Sequence, residues 1–144
     1  MPKTDVGVGV AVAAFAKDGR FVMLRRTGLH AHGTWCLPGG WLEKYEEFEA
    51  AARREVIEEI GCRIRNVRVA GISNHIRRDE NHHTVTVHLC AMLEDGEVPR
   101  NMEPEKSGEI RWVDDWDDMP SPVMCDYSAV VSKAGIEKYL AGNI

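Results

Sequence analysis

Apolar and polar residues follow one another along this chain in blocks that predict strands on either side of one short helix. Residues 6–16 are almost continuously apolar, as in a strand that is covered on both faces. The residues KDGR at 17–20 separate this run from a second apolar run at 21–24. A glycine-containing turn between two such runs is typical of a β-hairpin. The pattern therefore predicts an initial hairpin whose first strand lies inside a sheet.

The segment 47–60 has the composition of a helix that is bounded by glycines. It contains no glycine or proline, and most of its residues are good helix formers. Gly61 then occupies the position of a left-handed C-terminal cap. Ahead of the helix, Gly39 and Gly40 follow Pro38 and predict a tight loop, because glycine adopts backbone angles that other residues resist.

Two acidic residues interrupt the apolar side of this predicted helix. At about 100° per residue, Glu55 and Glu59 fall within about 20° of Phe48. The same apolar stripe continues through Ala52 and Val56. A helix that only adds solubility would carry its acids on the opposite face. We therefore expect Glu55 and Glu59 to point toward the protein interior.

Inward carboxylates need a counter-charge, since they repel one another and lose solvation. Glu58 lies one step around the helix, within reach of Arg54 at a spacing of four residues. The alternative is an acidic helix with surface salt bridges only. The glycine loop and the inward placement of Glu55 and Glu59 favour a divalent cation instead. Ligation by carboxylates alone points to a hard ion, Mg²⁺ or Mn²⁺.

The second half of the chain predicts two more strands and a closing helix. Residues 63–76 alternate partly between apolar and polar, which is typical of a half-buried strand. Its apolar positions are Ile64, Val67, Val69 and Ile72. A charged turn at 77–81 leads into a second clear strand at 82–94. Spaced apolar residues at 126–140 fit an amphipathic helix that covers the sheet.

Length, charge and cysteine usage limit the class of protein. A chain of 144 residues fits one domain, 1–144, and the formal net charge of -5 argues against a general nucleic-acid-binding surface. No apolar run approaches the roughly 20 residues needed to cross a bilayer, and Asp5 interrupts the apolar start, so that a strand is favoured there over a signal peptide.

We expect buried thiols in a reducing, cytoplasmic compartment, because no two cysteines are closely spaced. The four cysteines are Cys36, Cys62, Cys90 and Cys125.

The spacing of the glycines, acids and arginine around the helix resembles the signature of the Nudix hydrolase family. The matching pattern is Gly40-x5-Glu46-x7-Arg54-Glu55-Val56-x-Glu58-Glu59-x-Gly61-Cys62, in which Cys62 departs mildly from the usual closing apolar residue. The resemblance implies an α/β fold, an α/β/α sandwich with a mixed central sheet. It also implies Mg²⁺-dependent attack of water on a nucleoside diphosphate linked to another group, and pairing of two chains as a homodimer.

The resemblance further implies roles for individual residues. The metal would be held by Glu55, Glu58 and Glu59, together with the backbone carbonyl of Gly39. Arg54 and Glu46 would hold the loop and the helix in place. The candidate catalytic residues are Glu55, Glu58, Arg54 and Glu105. The candidate substrate-binding residues are Arg26, Trp35, Gly39 and Gly40.

The proton acceptor stays open between two carboxylates. In many Nudix proteins an acid in the loop before the last strand adds a metal ligand or acts as a base, and Glu105 is the first candidate here, followed by Glu103. The base is therefore either Glu55, lying outside the direct metal ligands, or Glu105. Both loop acids are also compatible with an ordinary solvated loop. Arg26 is equally compatible with a phosphate contact or with a solvated strand end.

Histidines and aromatic residues offer further, less specific candidates. Histidines of the second half are expected to form cross-strand pairs or satisfied hydrogen bonds more often than metal sites, with a base contact open for one of them. They are His75, His82, His83 and His88, while His30 and His32 lie in a loop predicted to cover the substrate. Base stacking or core packing is equally open for Trp35, Trp116 and Tyr127.

Three functions follow from these patterns. The first is hydrolysis of a nucleoside or deoxynucleoside triphosphate to the monophosphate and pyrophosphate, as in the MutT-like subgroup. The second is the same chemistry on ADP-ribose, a nucleotide sugar or a dinucleotide polyphosphate. The third is a non-catalytic nucleotide-sensing module, which the complete set of acids disfavours. The expected partner is a nucleotide polyphosphate, with neither a nucleic acid nor a membrane.

Overall fold

The chain folds around one mixed β-sheet with a helix on each face. The computed structural model describes residues 5–28, 32–124 and 126–144, with the side chains of 126–131 outside the description. Within these ranges there are seven strands and two α-helices. The strands are β1 (Gly7–Phe15), β2 (Phe21–Arg26), β3 (Trp35–Cys36), β4 (Gly39–Trp41), β5 (Ile64–Arg77), β6 (His82–Leu93) and β7 (Ser107–Val113). The helices are α1 (Phe48–Ile60) and α2 (Asp126–Leu140).

The first strand lies at the centre of the sheet, as its apolar pattern predicts. The order is β3-β2-β1-β6-β5, with β4 also paired to β1 and β7 to β2. The β1–β6 pairing is parallel, and the remaining pairings are antiparallel. The predicted hairpin is confirmed, since Phe15 faces Phe21 across it. The sheet is therefore mixed.

Alternate residues of β1 enter two separate cores. Val10 and Val12 pack on the face that α1 covers, whereas Ala13 and Phe15 pack on the face that α2 covers. This division is expected for a central strand whose side chains alternate between two buried faces. The α/β/α sandwich is therefore confirmed. Within the described ranges, neither helix is long and apolar enough to span a bilayer.

The boundaries of α1 agree with those predicted from the sequence, but the first residue of the predicted apolar stripe, Phe48, is not buried. Gly61 has φ 69° and its N–H donates to the Ile57 carbonyl, so the left-handed cap is confirmed. Glu55 is buried, with 8% of its surface exposed. Phe48, however, is 40% exposed. It is the first residue of α1, and burial of the helix begins only with Ala51, one turn later.

The alternation predicted for the strand at 63–76 is only half correct. Ile64 and Val67 are buried, but Val69 is 45% exposed and Ile72 is 60% exposed. The pairing of β5 with β6 shifts between Arg65 and Arg68 and again between Val69 and Gly71. The two one-residue shifts cancel, and Val69 opposite Leu89 and Ile72 opposite Val87 lie on the same face of the sheet as Ile64. Their partners are buried but they are not, so this face of β5 is uncovered at these two positions.

Candidate active site

Two glycines of β4 allow the strand to lie close to β1 and to α1. A Cβ atom on Gly39 would lie 2.0 Å from the Val10 carbonyl oxygen, and one on Gly40 would lie 2.3 Å from Glu55 Oε1. Any other residue type would have to displace backbone at the first position and the carboxylate at the second. The glycine pair therefore places the Glu55 carboxylate directly against the strand.

Arg54 joins the glycine loop to the acids of α1. Its guanidinium donates to both carboxylate oxygens of Glu46, at 2.7 and 2.8 Å, and to the Trp41 carbonyl at 3.0 Å. It also donates to Glu55 at 2.7 Å and reaches Glu58 at 3.4 Å. The guanidinium holds the pKa of Glu46 down to about 2, so that this ion pair persists at neutral pH.

Glu59 is half-buried, one helical turn beyond Glu55. Its carboxylate accepts a hydrogen bond from the Gly39 N–H at 3.2 Å. Burial, reinforced by the nearby Glu55 and Glu103 carboxylates, raises the pKa of Glu59 to about 8. Burial also raises the pKa of Glu55, although Arg54 opposes this shift. Burial therefore disfavours the charged form of both inward acids.

The loop before β7 is tied to the end of α1 by its backbone. The N–H groups of Arg100 and Met102 donate to the carbonyls of Ile60 and Glu59, each at 3.0 Å. These carbonyls belong to the last turn of the helix, where no further helical N–H is available to them. The attachment brings Glu103 next to the acids of α1.

The two loop acids occupy different surroundings. Glu103 acts electrostatically on Glu55 and Glu59, and its carboxylate pairs with Lys106 at 2.9 Å. Glu105 is exposed, and its backbone carbonyl accepts a hydrogen bond from the Thr27 hydroxyl at 3.3 Å. The structure therefore brings Glu103, the second candidate of the sequence, closer to the acidic helix than Glu105, the first.

We call the five acids at this place the carboxylate cluster. They are Glu46, Glu55, Glu58, Glu59 and Glu103, and the cations beside them are Arg54 and Lys106. Among the described residues, no three acid, histidine or cysteine side chains converge in an arrangement that could hold a metal ion. The donor set nevertheless suits a hard cation, since it is all oxygen and its buried members are short of positive charge. The contacts among the described residues do not test the prediction that the Gly39 backbone carbonyl binds the metal.

A cavity of about 390 Å³ opens beside the carboxylate cluster, on the α2 side of the sheet. Gly9 and Ala11 of β1 form its floor, and Glu59 with the glycines of β4 forms one wall. Arg26 and Lys106 also line it, and they bring positive charge to a protein whose net charge is negative. The cavity is large enough for part of a nucleotide.

The predicted substrate residue Trp35 belongs to both the core and the cavity. It is 5% exposed and packs in the α2-side core, and it also lines the cavity. The Arg111 guanidinium lies over its ring, 4.6 Å from the centroid. Trp116 lines the same cavity and stacks on Phe21. His30, Cys125 and the side chain of Tyr127 fall outside the described residues.

The opposite wall of the cavity carries polar groups that the sequence did not mark as a unit. Ser73 Oγ lies 2.7 Å from His75 Nε2 and 2.8 Å from His88 Nε2, and Ser132 Oγ lies 2.6 Å from His88 Nδ1. We call these four residues the imidazole chain. The expectation of satisfied histidines is confirmed here, as it is for His83, which bonds Asn74. The spacing of these residues along the sequence does not indicate the group, because the pairing of β5 with β6 brings its members together.

The other predictions made for single residues have clear outcomes. Cys62 and Cys90 are free and buried, as expected, whereas the free Cys36 is half-buried and lines the cavity. His32 bonds the Thr27 carbonyl at 2.9 Å. Lys106, a cavity cation, was missed by the sequence reasoning, and its position next to Glu105 in the functional loop was the available signal.

Comparison with known proteins decides the family. A model of the NUDIX domain matches residues 5–120. The chain belongs to the NUDIX domain family. This Nudix chain is 29% identical to a MutT NUDIX hydrolase from Burkholderia pseudomallei, and the matched region covers 90% of this chain and 98% of that one with a TM-score of 0.79. The resemblance seen in the sequence is therefore confirmed for family and fold.

Two curated relatives are similar over parts of their length. A MutT-like protein from Streptomyces ambofaciens is 39% identical over 71 residues, which are 49% of this chain and 44% of the relative. A Mycobacterium tuberculosis protein with the provisional name 8-oxo-dGTP diphosphatase 3 is 32% identical over 111 residues. These are 73% of this chain and 50% of the relative. The Nudix chain spans about half the length of the curated relatives it matches.

Proposed function

We propose that this protein is a Nudix hydrolase of nucleotide phosphoanhydrides, and that it cleaves a nucleoside or deoxynucleoside triphosphate to the monophosphate and pyrophosphate. One observation carries the proposal: the Glu59 carboxylate, whose pKa is raised by burial, borders a cavity that Arg26 and Lys106 also line. A polyphosphate with its cation would bring positive charge to the carboxylates and phosphate oxygens to Arg26 and Lys106. The provisional name of the Mycobacterium relative supports the triphosphate as substrate.

The carboxylates of Glu55, Glu58 and Glu59, with the Gly39 carbonyl, would hold Mg²⁺ or Mn²⁺. The bound ion supplies positive charge to the phosphates and lowers the pKa of water. Arg54 keeps Glu55 and Glu58 in place through its bonds to Glu46 and Trp41. This positioning matters because hydrolysis depends on a water aligned with the bond that breaks.

We propose Glu103 as the base because it lies beside the acids of α1, with Glu105, which lines the cavity, as the alternative. A general base must lie within hydrogen-bonding reach of the reacting water, and Glu103 is the loop acid next to Glu55 and Glu59. Glu105 in the same loop provides a matched control. We expect Glu103→Gln to lower kcat at least 100-fold with little change in KM, and Glu105→Gln to change kcat less than threefold. The reverse order would assign the base to Glu105.

Arg26 and Lys106 would bind the phosphate oxygens, and Trp35 would form one wall of the nucleoside site. Gly39 and Gly40 would leave room for the phosphates to approach the backbone. Lys106 is held toward the cluster by its pair with Glu103. The predicted homodimer remains a prediction, and a sedimentation mass at working concentration checks it.

The substrate is tested by measuring product formation from triphosphates, ADP-ribose, nucleotide sugars and dinucleotide polyphosphates at equal concentration with Mg²⁺. We expect pyrophosphate release from triphosphates and its loss by about 1,000-fold or more in Glu59→Gln. Glu49→Gln is the matched control, because Glu49 lies on the same helix but is exposed and paired with Arg53. Cleavage of ADP-ribose alone would reject the triphosphate, and full activity of Glu59→Gln would reject the metal assignment.

A further inference from the structure

The extended segment 35–41 carries an indole ring at each of its two ends. Residues 35 and 36 form β3 and residues 39–41 form β4, and Trp35, Gly39 and Trp41 all line the cavity. Gly39 lies between the two rings along the chain, and its N–H donates to Glu59 of the carboxylate cluster at 3.2 Å. A ligand whose phosphates lie beside Gly39 therefore has an indole on either side of it along the segment.

The indoles that line the cavity differ in how much of their surface the protein already covers. Trp35 is 5% exposed, and the Arg111 guanidinium lies over its ring, 4.6 Å from the centroid. The half-buried Trp116 stacks on Phe21, with ring centroids 5.8 Å apart. Trp41, in contrast, is 56% exposed. Among the described residues that line the cavity, Trp41 is therefore the indole with the most surface left for a ligand.

Contacts with three strands hold the Trp41 side chain in place despite its exposure. Its ring lies against β1 at Gly7, where an added Cβ atom would come within 2.4 Å of the ring atom Cζ3. The His82 ring lies beside it, with centroids 6.3 Å apart and planes tilted by 59°. The Trp41 backbone pairs with Gly9, and its carbonyl accepts a hydrogen bond from Arg54 at 3.0 Å. The position of the indole is therefore linked to that of the carboxylate cluster.

An exposed indole that is held in place suits a flat ring of a ligand. Every nucleobase has a π-face, and stacking on an aromatic side chain contributes to binding without requiring a particular pattern of hydrogen-bond donors and acceptors. Trp41 follows Gly39 by two residues, which is about 7 Å along a strand. A single sugar separates the base of a nucleotide from its first phosphate. A phosphate beside Gly39 and a base on Trp41 are therefore compatible with one nucleotide.

We propose that Trp41 is the residue on which the base of the substrate stacks, and that it contributes affinity for nucleotides whichever base they carry. The inference rests on the proposed function, since it takes the ligand of the cavity to be a nucleotide. It gives Trp41 a role that the sequence left open for Trp35, Trp116 and Tyr127. Trp35 then borders the nucleoside site without stacking on the base.

Kinetic measurements with the triphosphates of adenosine, guanosine, cytidine and uridine test this role. Trp41→Ala should raise KM for each of them about 10- to 100-fold and change kcat less than threefold, because the phosphates and the acids keep their contacts. Trp41→Phe, which retains a ring, should recover most of the affinity. Tyr45→Ala is the matched control, because Tyr45 is 92% exposed in the loop after β4 and lies outside the cavity lining. Its KM values should equal those of the wild type.

A second aliphatic variant separates stacking from packing. Trp41→Leu keeps apolar bulk against Gly7 but has no ring, so its KM values should resemble those of Trp41→Ala. Unchanged KM values in Trp41→Ala, or recovery by Trp41→Leu as complete as by Trp41→Phe, would overturn the proposal. A loss confined to one base would also overturn it, because it would indicate a hydrogen-bonding contact instead of stacking.

A binding measurement needs neither metal nor turnover. Adenosine monophosphate and ribose 5-phosphate are titrated with a chelator present, and binding is followed by equilibrium dialysis and by tryptophan fluorescence. We expect the wild-type protein to bind the nucleotide at least about tenfold more tightly than the sugar phosphate, with quenching of its fluorescence. Trp41→Phe should still bind the nucleotide but lose most of the quenching.

The two measurements separate this inference from the proposed function. Equal affinity of the wild-type protein for the two ligands, or the same quenching in Trp41→Phe, would overturn the stacking role even where triphosphates are hydrolysed. If adenosine monophosphate binds as expected but no triphosphate is hydrolysed, the proposed function fails and the stacking role of Trp41 stands.

Discussion

Two polar regions lie on either side of the cavity, and they differ in whether their buried groups are charged or neutral. The carboxylate cluster on α1 and its loop carries five acids beside two cations, and burial raises the pKa of Glu59 to about 8. The imidazole chain on β5, β6 and α2 is neutral and pairs its groups with one another. Among the described residues, no buried side-chain nitrogen or oxygen atom lacks a hydrogen-bond partner. Hydrogen bonding alone therefore does not distinguish the regions, whereas charge does.

The difference indicates which region depends on a ligand for its stability. A buried charge without a partner costs several kcal/mol, whereas a neutral, hydrogen-bonded group costs little. The carboxylate cluster should therefore gain stability from an added cation, and the imidazole chain should not. The two regions should also respond to pH with opposite signs.

Removal of Arg54 should have the largest effect. Arg54→Ala leaves Glu55, which is 8% exposed, without its cation, and we expect the free energy of unfolding to fall by about 3 to 4 kcal/mol. Urea denaturation at pH 7.5 with a chelator measures this change, and Mg²⁺ should restore part of it. Arg65→Ala is the control, because Arg65 is exposed and its ion pair with Asp95 is long, at 3.9 Å. We expect the free energy of unfolding of this variant to fall by less than about 0.5 kcal/mol. Equal losses in both variants would contradict the role of Arg54.

Glu59 should make the protein less stable as the pH rises. Its pKa is about 8 in the folded protein and 4.5 in its ordinary state, so the unfolded chain releases its proton first. Between pH 5 and 8.5 we expect a loss of about 2 to 3 kcal/mol, allowing for partial exposure. Denaturation across this range should show a flatter profile for Glu59→Gln. Mg²⁺ should flatten the wild-type profile only, and an identical slope in both proteins would refute the assignment.

His88 should make the protein less stable as the pH falls, with a smaller effect. Its pKa is about 4 when folded and 6.5 in its ordinary state, so the unfolded chain binds the proton first. We expect a loss of about 2 kcal/mol between pH 6.5 and 4. His88→Gln should remove this part of the pH dependence, whereas His83→Gln, which changes a histidine bonded to Asn74, should retain it. If Mg²⁺ changed the pH dependence of stability between pH 6.5 and 4, the carboxylate cluster and the imidazole chain would not be independent.

The sequence predicted that four acids of the carboxylate cluster lie together, because Glu46, Glu55, Glu58 and Glu59 are close to one another along the chain. A helix period relates Glu55, Glu58 and Glu59, and glycines mark both ends of the segment. Glu103 was ranked below Glu105, because the backbone attachment of Arg100 and Met102 to α1, which orients the loop, leaves no trace in residue type.

The imidazole chain could not be predicted, because it depends on strand register. The pairing of β5 with β6 places Ser73 opposite Thr86 on the cavity side of the sheet, and Ile72 opposite Val87 on the α1 side. Ser132 joins from α2, 44 residues beyond His88. Individual strands were predicted correctly, since apolar runs are local, whereas the burial of each strand face depends on where the rest of the chain covers it, as the exposed Val69 and Ile72 show.

The short side chains on the floor of the cavity suggest how its capacity could be altered. A Cβ atom added at Gly9 would lie 3.3 Å from the Gly40 carbonyl oxygen, and among the described residues beyond its chain neighbours no other atom comes within 4 Å. A single methyl group there would make the recess shallower while leaving every acid, imidazole and arginine in place. Ligand size is thus adjustable through the middle strand, separately from bond cleavage, which gives an engineer or natural selection an independent control.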